Sequence, residues 1–172
     1  MQNLFSYPLK LEDMSSAVQK YTLKANSEEL KYITKIMQVP AVKKFTAEIN
    51  VKLRKKEHYV DVVGFVNAEV EQVSVISLEK FIKTYHTDFK IKYDTKMTVA
   101  EVNDIDFNIN DEVPDVLENE QIDLAAIAME QLALILEDFP RQEGEEFKFE
   151  SEFDEETTLA ANPFAVLKNL KK

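Results

Sequence analysis

The stretch Gln121–Arg141 holds the longest apolar run of the chain and constrains every fold open to it. Asp123 stands where a carboxylate can accept from the first free backbone N–H groups of a helix, and Pro140 ends the helical pattern. About four turns of helix fit between them. Leu124, Ile127, Leu134 and Ile135 fall on one side and Met129, Leu132 and Leu136 on another, interrupted by Glu130, Gln131 and Glu137. A helix apolar over most of its circumference is buried. The run is too short and too interrupted to cross a bilayer, which needs about 20 apolar residues, so the rest of the chain has to cover it.

That cover is legible upstream. Leu4 to Leu11 reads as a short strand that Pro8 confines to an edge, and Tyr21 to Ala25 as a second extended piece. Asn26 followed by Glu29 is a capping-box pattern opening a helix with the stripe Leu30, Ile33, Ile36 and Met37, and Pro40 follows its end. Phe45, Ala47, Ile49, Val51 and Leu53 alternate with polar neighbours, the period of a half-buried strand. Lys55, Lys56 and Glu57 form a tight polar turn. Tyr59 to Val75 is apolar on both parities, which predicts a central strand covered on both faces, with Gly64 marking a bulge or a close backbone approach. Phe81, Tyr85, Phe89, Ile91 and Tyr93 alternate in a further strand.

The expected fold is therefore α+β: an antiparallel sheet, as a meander or a partly closed barrel, packed against a buried helix from the C-terminal half and a shorter N-terminal helix. With 172 residues the chain is read as one domain over 1–141, an acidic flexible segment over 142–161 and a short helix motif over 162–172. In that last piece Asn162 is placed to cap, Pro163 occupies the first helical position, and Phe164, Leu167 and Leu170 make an apolar stripe. These five residues are read as a partner-binding element, because so short a helix does not hold unaided.

The net charge of −11 disfavours generic nucleic-acid binding and favours basic partners. Residues 101–156 hold most of the acid, whereas Lys52, Arg54, Lys55 and Lys56, with Lys43 and Lys44 nearby, form a basic patch that is a candidate RNA contact. With no cysteine in the chain, disulfides, thiolate zinc sites and Cys nucleophiles are excluded. His58 and His86 are the only histidines and lie in no nucleophile pattern, and a chain with two glycines carries no Gly-rich phosphate loop. Asp104, Asp106 and Asn108 match part of a calcium loop, but Ile109 stands where glycine is required, and Ile105, Phe107 and Ile109 alternate as in an amphipathic strand. The expectation is a non-catalytic, cytoplasmic protein without cofactor or metal.

Ile122-Asp123-Leu124, Glu130-Gln131-Leu132-Ala133-Leu134 and Phe139-Pro140-Arg141, together with Asn162-Pro163-Phe164-Ala165-Val166-Leu167-Lys168, resemble the YceD family of large ribosomal RNA subunit accumulation proteins. The strand with Gly64 and the run Val73 to Glu79 fit the same family, over nearly the whole chain. Many members carry Cys-x-x-Cys where this chain has Ser74 to Ser77, and a serine hydroxyl is no zinc ligand, so a metal or redox role of that pair is not carried over. Strand pairing and burial of Leu78 are expected to keep the local geometry. The resemblance implies a role in the synthesis, processing or stability of the large ribosomal subunit RNA. The residues suggest an acidic body holding a basic ribosomal protein or assembly factor, with a small basic patch touching ribosomal RNA. Two alternatives stand beside it: a magnesium-dependent RNA-processing enzyme using Asp104 and Asp106, and an acidic chaperone-like module for a basic protein.

Overall fold

The structure, a computed structural model, describes residues 4–97 and 115–146. The chain divides into two compact units, Met1–Gln142 and Glu143–Lys172, and of the second only residues 143–146 are described. In the first unit the elements are β1 (Pro8–Lys10), β2 (Gln19–Lys24), α1 (Ser27–Met37), β3 (Ala41–Arg54), β4 (Tyr59–Val73), β5 (Lys80–Asp94), β6 (Asp115–Val116), β7 (Gln121–Asp123) and α2 (Leu124–Ile135). The class is α+β.

Strands β2 to β6 form one sheet in sequence order, antiparallel except for the short parallel pairing of β5 with β6. Its two edges do not meet, so the sheet is an open meander and not the partly closed barrel. β1 and β7 make a separate antiparallel pair. A register shift lies between Val42 and Lys44, where a bulge leaves Lys43 and Lys44 both exposed.

Period-2 alternation decides which side chains are buried. Phe45, Ala47, Ile49, Val51 and Leu53 of β3 lie opposite Ala68, Val66, Gly64, Val62 and Val60 of β4, and the nine that are not glycine are buried. Gly64 is a close approach: a Cβ there would run into the Glu48 carbonyl oxygen and stand 3.0 Å from the Phe89 ring. Phe89 is its partner across the strand pair and is itself buried.

Two helices cover this face. Asn26 accepts from the N–H groups of Glu28 and Glu29 at 2.9 and 3.1 Å while the Glu29 carboxylate accepts from Asn26 N–H at 2.6 Å, the reciprocal cap expected from the sequence. Ile33 of α1 is fully buried and Leu30 and Met37 are partly so, but Ile36, expected in the same stripe, is 45% exposed. α2 packs on β4 and β5. Its start is fixed from three sides, since the Asp123 carboxylate accepts from Ala125 and Ala126 N–H, from Tyr7 N–H at 2.8 Å and from the Ser6 hydroxyl at 2.6 Å. One carboxylate thus caps the helix and holds β1 against β7.

Two expectations are corrected. α2 ends at Ile135, with Leu136 already extended, and it buries Leu124, Ala125, Ile127, Ala128, Met129 and Leu132 while Leu134 is 71% exposed. β4 is central but, among the described residues, covered on one face only: Val62 is fully buried and its neighbour Val63 is 41% exposed. Apolar residues on the second parity rest among long polar side chains of neighbouring strands, which shield them without a covering layer. No helix among the described residues is long and apolar enough to cross a membrane.

Candidate binding surface on the open sheet face

The uncovered face takes the other parity of every strand. β2 gives Lys20 and Lys24, β3 gives Thr46, Glu48, Asn50, Lys52 and Arg54, and β4 gives Tyr59, Asp61, Val63 and Phe65. From β5 come His86, Asp88, Lys90 and Lys92. Register then sorts the charges: Lys52 lies opposite Asp61 and Asp61 opposite Lys92, while Asn50, Val63 and Lys90 form the next row.

At the end of the face nearest the β3–β4 turn, Lys52, Lys55, Lys56, Lys90 and Lys92 converge, and none has an ion pair among the described residues. Arg54 is held instead, by a 2.8 Å bond from its Nε to Asp61. That bond raises the guanidinium's already high pKa, and the ionisable Tyr59 hydroxyl adds to the shift. The Tyr59 ring also has the Lys92 ammonium 4.9 Å from its centre, so it sits between two cations. Along the same strand Phe65 tilts against His86 at 5.8 Å. The result is a basic corner with one aromatic ring, Tyr59, among its cations, a combination suited to phosphate and to a stacked base; Phe65 lies further along β4, opposite Glu48 and Asp88.

Of the residues singled out in the sequence, Lys52, Arg54, Lys55 and Lys56 are brought together here. Lys43 and Lys44 are not. They lie at the far end of β3, about 26 Å away at strand rise, where Lys43 pairs with Glu71 at 3.0 Å and Lys44 with Glu69 at 3.6 Å. Lys90 and Lys92 were missed as members. Their polar parity was legible in β5, but their nearness to Lys52 follows only from the long hairpin register. Asn162, Pro163, Phe164, Leu167 and Leu170 lie outside the described residues, as do Asp104 and Asp106.

At the opposite end, the turn Ser74 to Ser77 is closed by the Ser74 side chain. Ser74 is fully buried, and its hydroxyl oxygen accepts from the N–H groups of Ile76 and Ser77 at 3.1 and 3.3 Å. Ser74 N–H donates to Glu79 O and Val75 N–H to Pro140 O, both at 2.9 Å. Leu78, expected to be buried, is 76% exposed with φ of 61°. Backbone bonds to the Ser74 oxygen, and not Leu78 packing, close the turn. Among the described residues no three His, Asp or Glu side chains are placed to share a metal ion.

No protein-family model, curated protein or solved structure matches the chain.

Proposed function

We propose that this chain is a non-catalytic factor that supports the synthesis, processing or stability of the large ribosomal subunit RNA. It works mainly through protein contacts, and its basic corner touches the RNA. The observation that carries the RNA contact is the gathering, at one end of the exposed sheet face, of five lysines that have no ion pair among the described residues, in a chain of net charge −11. Lysine in such a place serves phosphate as a mobile point charge. The resemblance to the YceD family supplies the ribosomal context. The charge balance supplies the protein contact: residues 1–97 carry sixteen Lys and Arg against twelve Asp and Glu, whereas residues 98–172 carry five against twenty. A body so divided holds a basic protein with one part and tolerates RNA at the other.

The test measures anisotropy of a labelled single-stranded fragment of large-subunit RNA as salt rises. With three to five phosphates engaged, log affinity falls with log salt at a slope of about −2 to −3.5. Changing Lys55, Lys56 and Lys92 together to Gln lowers the affinity at least about tenfold, on the order of 1.4 kcal/mol, with an unchanged melting temperature. In cells lacking the chain, large-subunit RNA falls relative to small-subunit RNA; a normal ratio overturns the ribosomal reading. Cleavage of precursor RNA in magnesium that is lost in Asp104→Ala with Asp106→Ala overturns the non-catalytic one.

A further inference from the structure

Away from the basic corner, a groove of about 600 Å³ runs between the end of α1 and the outer side of α2. Met37, Val39, Val73, Met129, Leu136 and Pro140 give it an apolar lining. α2 presents Ala126 and Ala133 to it, two helical turns apart and both exposed, so nothing bulky on that helix fills the space. Ile36, the residue that leaves the expected stripe of α1, lines the same groove. Its exposure there leaves apolar surface uncovered, a mark of an interaction site.

The rim is acidic. Glu130 and Asp138 line the groove and have no ion pair among the described residues, whereas Glu137 is tied to Lys83. Glu130 lies between the two alanines on one helix face, so its charge stands over the apolar floor. The same carboxylate is felt by the partly buried Tyr93 hydroxyl, which desolvation, then Asp115 and Glu130, push up to about 12.

We propose that this groove docks a short basic amphipathic helix of the partner protein. The inference rests on the reading above that the chain acts through contacts with a basic protein, and it adds where and in what form the partner binds. Such a helix lays apolar residues at i, i+3 or i+4 and i+7 along the floor and turns Lys or Arg toward Glu130 and Asp138. The exposed positions of α2 that line the groove, Ala126, Glu130 and Ala133, span about 10 Å at helical rise, which matches about two turns of partner. A second copy of the chain fits less well, since it brings a charge of −11 to an acidic rim.

The experiment uses the full chain and a labelled helical peptide of about 14 residues with Leu at the anchor positions and Lys elsewhere. A control peptide has Glu in place of Lys. Binding is read by anisotropy. The Lys peptide binds at least about tenfold more tightly than the Glu peptide, and Ala133→Arg weakens it at least about tenfold with an unchanged melting temperature. Glu130→Gln, which keeps the shape and removes one charge, weakens it by about threefold and lessens its salt dependence. Equal binding of the two peptides, or binding indifferent to Ala133→Arg, overturns the proposal. A dimer dissolved by Ala133→Arg gives the groove to a second copy, and binding seen only after removal of residues 162–172 gives it to the chain's own tail; each result overturns the partner helix. The ribosomal reading fails separately, through normal large-subunit RNA in cells lacking the chain.

Discussion

Val62 and Val63 are neighbours of the same residue type on the same central strand, yet the first is fully buried and the second is 41% exposed. They stand for the two faces of the sheet. The covered face pairs Val51 with Val62 and Ile49 with Gly64 beneath helices whose caps and lengths fix their place. The open face pairs some lysines with carboxylates and, among the described residues, leaves the five at the basic corner without an ion pair. Stability is built on one side, where apolar area leaves water, while on the other the charges stay solvated.

The comparison breaks first where the covering helix meets the sheet. Leu132 of α2 is fully buried, and Leu132→Asp removes its packing and places a carboxylate where no partner exists. The loss is several kcal/mol, against a usual total of about 5–15, so the domain unfolds, as circular dichroism and melting would show. An unchanged melting temperature would take α2 out of the core. Gly64→Ala tests the seam within the covered face. The added methyl meets the Glu48 carbonyl oxygen and the Phe89 ring, and since backbone must move, the cost is about 1–3 kcal/mol. Denaturant melts with equal slopes would measure it.

Much of this division was legible in the residues. The Asn26 and Glu29 pair and the Asp123 carboxylate marked both helix starts, because caps are local and depend on side chains a few positions apart. Alternation gave β3 and β5 their inward residues for the same reason. The coverage of β4 was not legible: a strand apolar on both parities is buried twice only if a second layer exists, and here Val63 and Phe65 rest among the side chains of neighbouring strands. Leu134 and Leu78 mislead alike, being apolar by type and exposed by place. At the basic corner, Lys52 to Lys56 are contiguous and visible, while Lys90 and Lys92 join them only through the β4–β5 pairing.

A smaller effect sharpens the contrast from the other side. Val63→Lys adds a charge to a position already in water, and it shifts stability by no more than about 0.5 kcal/mol, whereas the same change at Val62 unfolds the chain. Chemical denaturation of the two variants side by side gives the ratio. A large loss at Val63 would mean that a second layer covers the open face after all.

The smallest effect lies in an ion pair of the open face. Glu71 accepts from Lys43 and Lys80, each at 3.0 Å, and these two bonds hold its carboxyl below the ordinary carboxylate value, with burial working weakly against them. A carboxyl depressed in the folded chain binds protons more readily when unfolded, so its contribution is complete above the unfolded value of about 4.3. It is lost as pH falls through the folded value. Glu71→Gln therefore melts slightly below the wild type at neutral pH, and the gap closes as the solution is acidified below that range. Salt narrows the gap as well, because the bridge is partly solvated. A gap that is the same at neutral and acid pH would show that Glu71 contributes by shape alone, and that the charge pairs of the open face leave the fold's stability to the covered one.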